Sequence, residues 1–121
     1  MMRWLTGLII LALATGAGNA RLPEDFWLLG DFTQNVRCKG TGSDPAEVKV
    51  KVATDQIVSK VGVCKFITAK PEGDRLNATM QCEFPAGPLI GDVTFTQKMN
   101  GTIDVVDRDK TFTGTLYRCP K

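Results

Sequence analysis

An all-β fold, an antiparallel meander of seven or eight strands closed into a small barrel, is what this sequence predicts. Three observations carry that reading. Apolar and polar residues alternate with a period of two through most of the chain beyond Leu28. Gly, Pro, Asn and Asp cut the alternation into short runs. No stretch in that region sustains the three-to-four-residue period of an amphipathic helix.

The first run, Leu29 to Cys38, places Phe32, Gln34, Val36 and Cys38 on one face and Thr33, Asn35 and Arg37 on the other. Ala46 to Ala53 is the clearest strand: Val48, Val50 and Val52 face one way and Glu47, Lys49 and Lys51 the other, as a half-buried strand requires. A short run at Gln56 to Lys60 follows. Val63 to Lys70 and Arg75 to Cys82 are then joined across Pro71-Glu72-Gly73-Asp74 as a hairpin, with Leu76, Ala78, Met80 and Cys82 in phase. Beyond a longer loop comes Gly91 to Lys98, in which Val93 and Phe95 share a face. Asn100-Gly101, the strongest short hairpin signal, leads into Thr102 to Val106, and Asp107-Arg108-Asp109 leads into Lys110 to Cys119.

The N-terminus has the layout of a secretory signal: a short segment ending in Arg3, an apolar run from Leu5 to Thr15, and small residues at Gly18 and Ala20. Cleavage after Ala20 is expected, leaving residues 21–121 as a single β domain that does not span a membrane and works in the periplasm or outside the cell. The apolar run falls short of the roughly 20 residues that cross a bilayer, and Arg21 stands where a lipoprotein would need Cys.

Export turns the four cysteines, Cys38, Cys64, Cys82 and Cys119, into two expected disulfides. Zinc fits poorly, because the ligands are spread singly and the chain has no His. Cys64 and Cys82 fall at the same end of one predicted hairpin, which favours that bridge and leaves Cys38 with Cys119. With eight full strands, however, Cys38 and Cys119 would lie at opposite ends. Cys38–Cys64 with Cys82–Cys119 therefore stays open beside it.

Losing Arg3 takes one charge from a formal net of +2, so a nucleic-acid partner is not expected. Lys49 and Lys51 alternate with valines and read as an ordinary solvated sheet face. The absence of His removes the commonest general base and every Ser/His or Cys/His pair, and no enzyme activity, cofactor or metal is expected. Ser43 and Ser59 fall in turn-like stretches, where a hydroxyl bonds the local backbone. Asp104, Asp107 and Asp109 are the best carboxylate group, but two of them serve a hairpin connection. Two sequons, Asn77-Ala78-Thr79 and Asn100-Gly101-Thr102, carry meaning only in a eukaryotic secretory pathway.

Two segments remain as candidate binding elements. The loop Glu83 to Ile90 combines rigidity from Pro85 and Pro88 with the apolar Phe84, Leu89 and Ile90, and either presents a surface or covers a barrel end. The N-terminal arm, Arg21 to Trp27, offers Phe26 and Trp27 as a lid.

Gly30-Asp31-Phe32, Cys38, Gly62-Val63-Cys64 and the terminal Tyr117-Arg118-Cys119, behind a short signal, resemble small exported alphaproteobacterial proteins of unknown function. The resemblance implies a compartment and a fold class. In chain size, meander pattern and the Cys38-to-Cys64 spacing there is also a fold-level likeness to periplasmic β-barrel inhibitors of metalloproteases, although Arg21-Leu22-Pro23 does not match the small residues of their inhibitory segment. The expected function is a non-enzymatic binding or accessory protein with a protein or envelope component as partner. Protease inhibition is the alternative, and a small-molecule carrier with a lipocalin-like cavity the second alternative.

Overall fold

The computed structural model describes residues 20–40, 43–110 and 113–120; the expected signal lies outside them except for Ala20. Eight strands form a closed antiparallel barrel in sequence order: β1 Gly30–Gln34, β2 Lys49–Val52, β3 Gln56–Ser59, β4 Gly62–Glu72, β5 Arg75–Phe84, β6 Gly87–Gln97, β7 Ile103–Asp107 and β8 Thr113–Arg118. Closure comes from β1 pairing β8, with Phe32 opposite Arg118 and Gln34 opposite Leu116.

The period-two pattern does what it predicted. Phe32, Val50, Val52, Leu76, Met80, Phe95, Ile103, Val105 and Leu116 all point inward and are buried. One irregularity keeps β4 in phase. Its register with β5 jumps between Phe66, opposite Met80, and Thr68, opposite Thr79, so Ile67 is an extra residue. Without that bulge Phe66 and Ala69 could not both face the core.

The first strand stops four residues before its expected end, and this settles the cysteine question. Asn35 takes a left-handed φ of 64°, which Asn tolerates better than most residues. Its N–H donates to the Thr115 carbonyl, and its side-chain oxygen accepts the Thr115 N–H, ending the ladder. The chain then doubles back over Thr33, whose hydroxyl donates to the Val36 carbonyl at 2.6 Å and which is fully buried although it points out of the barrel. Cys38 is thereby returned to the far end of β8, where Cys119 donates its N–H to Asp31. The bridges are Cys38–Cys119 and Cys64–Cys82. Eight strands and that pairing are compatible because Cys38 is not on a strand.

Asp44 fixes the rest of this connection. It is buried, and both carboxylate oxygens accept the Lys39 N–H at 3.2 Å. Pro45 then starts a single 3-10 turn at Ala46–Val48, so β2 begins only at Lys49, later than the alternation suggested.

At the end where β1 starts, the N-terminal arm closes the barrel. Ala20 and Leu22 donate their N–H groups to Phe66 and Thr54, and Leu22 and Leu28 are buried in the core cluster. Among the described residues no helix is long and apolar enough to cross a membrane.

Candidate functional site

The segment expected as a loop from Glu83 to Ile90 is instead the end of a long hairpin. β5 runs to Phe84, Pro85-Ala86 make the turn, and β6 starts at Gly87, with Phe84 opposite Gly87 and Cys82 opposite Leu89. The two-residue turn brings the ends of both strands back into register, so that the ladder continues through Glu83 opposite Pro88 to Phe84 opposite Gly87. The hairpin is anchored from within by the Cys64–Cys82 bridge and by Phe84. Gly62 must be glycine for this contact: a Cβ there would stand 2.5 Å from the Glu83 carbonyl oxygen and from the Phe84 ring.

This hairpin outruns its neighbour. β6 pairs with β7 from Val93 onward, and the Arg108 N–H reaches back to the Asp92 carbonyl. From Gly87 to Gly91, β6 has β5 on one side and no strand on the other among the described residues. The Asp92 carbonyl points toward β7, so alternation turns the N–H and C=O of Ile90 and the C=O of Pro88 toward the same open side. Leu89 and Ile90 are 60% and 63% exposed, and Val61, next to Gly62, is 59% exposed. From Phe84 to Gly91 the chain carries no charge. The candidate residues thus divide. Phe84 is half-buried and holds the hairpin in place, whereas Pro85, Pro88 and Leu89 are presented, together with Ile90.

The arm residues serve the barrel. Phe26 and Trp27 are half-buried with ring centroids 4.8 Å apart, but the side chains that plug the barrel end are Leu22 and Leu28. Spacing alone did not single them out, because an irregular segment has no period to read. Arg118 locks the arm: its guanidinium donates to the carbonyls of Leu29 and Trp27.

Two grooves lie on the outer wall. One, of about 340 Å3, crosses β4 to β6 and is lined by polar groups that satisfy one another: Thr79 donates to Asp92, Arg108 pairs with Asp92, and Thr94 donates to Asn77. The other, of about 620 Å3, lies on β1 to β3 beneath the returning connection.

Comparison of the chain with known protein families, with curated proteins and with solved structures finds no match.

The remaining chemical candidates do not assemble. Asp104 and Asp107 alternate to opposite faces of β7, and Asp104 pairs with Lys98 at 3.3 Å. Ser59 donates to the Gly62 carbonyl. Cys38, Cys119 and Asp44 converge, but both sulfurs are committed to the disulfide and are no longer thiolate ligands. Of the sequon asparagines, Asn77 is tied to Glu72 and Thr94 on the sheet, whereas Asn100 is exposed in a turn and accepts from Thr102.

Proposed function

We propose that this chain is an exported, non-enzymatic binding protein that captures an extended segment of a partner protein along the free edge of β6. The observation that carries the reading is the pairing of ladder groups that meet no strand among the described residues with exposed apolar side chains at Leu89 and Ile90. A strand edge with both offers a partner backbone hydrogen bonds and side-chain contacts at once. Pro88 limits the edge, since it brings no N–H, and so fixes the added strand to the two groups of Ile90 and the carbonyl of Pro88. Export rests on the Leu5-to-Thr15 signal pattern and on two disulfides, which persist in oxidising compartments. The buried inward side chains leave the barrel interior filled, which favours a surface mode of binding over a lipocalin-like carrier.

Selection of random extended peptides on the immobilised oxidised protein tests this. Binders with a dissociation constant on the order of micromolar are expected, with slowed amide exchange at Ile90. Ile90→Pro, which deletes the edge N–H, should abolish binding, and Leu89→Ala should weaken it. Binders indifferent to both substitutions would sink the proposal. A concentration-dependent dimer lost in Ile90→Pro would replace the foreign partner by a second copy.

A further inference from the structure

The open side of β6 has a fixed length. Arg108 donates its N–H to the Asp92 carbonyl and so already takes the place opposite Asp92. A strand added in the line of β7 therefore has room only opposite Gly87 to Gly91. Ile90 turns both its N–H and its C=O to that strand, so in an antiparallel addition the pair at Ile90 is hydrogen-bonded. The pairs at Leu89 and Gly91 are then of the closer, non-hydrogen-bonded kind, in which facing side chains touch. Gly91 shares a face with Phe95, which is buried in the core, so a partner residue opposite Gly91 turns its side chain to the barrel's inner face.

On that face Phe66, Met80 and Gly91 form a row across β4, β5 and β6, each in register with the next. Phe66 and Met80 are buried, whereas Gly91 is exposed and a Cβ built on it meets nothing within 4 Å. Burial in this row thus runs out at a position with no side chain, beside Leu89, which is exposed on the same face. The next row, Ala78, Val93 and Asp107, continues onto β7. Asp107 already has an interaction of its own, so it does not call for a cation in the strand beyond it. A glycine on a strand is covered best by an aromatic ring from the facing strand, lying across the place where its side chain would be.

We propose, on the basis of strand capture at the β6 edge, that the captured segment carries an aromatic residue opposite Gly91, its ring lying across the glycine with Leu89 beside it. The partner's recognition element is then a short extended segment with an aromatic side chain facing the barrel and an apolar one, two residues away, opposite Leu89. Edge hydrogen bonds attach the segment, and the place for the ring selects it. Gly91 selects without contributing to the edge, because its own N–H and C=O turn toward β5, away from the side to which the Asp92 carbonyl points.

The test is a nuclear magnetic resonance titration of the oxidised protein with capped heptapeptides of alternating Thr and Val, whose central residue, on the Val face, is Phe, Leu or Ala. The Phe peptide should bind about tenfold more tightly than the Ala peptide, with Leu between them. Nuclear Overhauser contacts should join its ring to the Gly91 α-protons. Gly91→Leu puts a side chain where the ring would lie and should bring the three affinities to within about twofold of one another. Gly91→Ala, which adds only a Cβ into open space, should lower the Phe preference in the same direction and decides the matter where Gly91→Leu does not fold. Equal affinities for the Phe and Ala peptides, with binding still lost in Ile90→Pro, overturn the aromatic selection and leave strand capture standing. A Phe preference unchanged by both Gly91 variants does the same. Failure of all three peptides to bind, or binding indifferent to Ile90→Pro, overturns strand capture and the selection with it.

Discussion

Arg118 lies over Phe32, its guanidinium carbon 4.6 Å from the ring centroid, while its donors reach the Leu29 and Trp27 carbonyls. One side chain thus joins the last strand, the first strand and the arm. Gly30, at φ 133°, allows the approach, because a Cβ there would stand 3.0 Å from the guanidinium nitrogen. Stacking and charge-assisted hydrogen bonds together predict a loss of about 2 kcal/mol for Arg118→Ala. Arg118→Lys should recover less than half of it, since an ammonium cannot fork to two carbonyls while lying flat on a ring. Denaturant midpoints of the three proteins check this.

The two disulfides should differ in worth. Cys38–Cys119 closes a separation of 81 residues and Cys64–Cys82 one of 18. Loop-closure entropy gives about 4.5 and about 3 kcal/mol respectively. Paired Cys→Ala variants, unfolded at equilibrium, should show the larger loss for the long-range bridge. Equal losses would mean that the returning segment is held by Thr33 and Asp44 without the bridge.

Two glycines of the hairpin region give opposite expectations. Gly62→Ala forces a Cβ against the Glu83 backbone and the Phe84 ring, and should cost about 1–3 kcal/mol by overpacking. At Gly91 an added Cβ meets nothing within 4 Å and the backbone is not left-handed. Gly91→Ala should leave stability unchanged or raise it by about 0.5 kcal/mol. Thermal unfolding of the pair is sufficient.

The arm is a structural plug. Leu28 is completely buried, so Leu28→Ala should destabilise by about 2–5 kcal/mol. Met99, fully exposed in the β6–β7 turn, is the matching control, and Met99→Ala should change the unfolding midpoint by no more than its error.

The alternation was enough to assign the inward face at Val50 and Val52, at Leu76, Ala78 and Met80, and at Phe95, and the turn residues were enough to order the strands, because both are properties of a few consecutive residues. The Cys64–Cys82 bridge was legible for the same reason, since both ends belong to one hairpin. What only the tertiary structure decided involves residues far apart in the chain: the retreat of Cys38 to Cys119, Arg118 over Phe32, and Asp31 opposite Lys51. The free edge at Ile90 was likewise invisible, because an edge is defined by the neighbour a strand lacks. A period of two fixes which way a side chain points from its own strand; only barrel closure and the register between strands fix what it meets there.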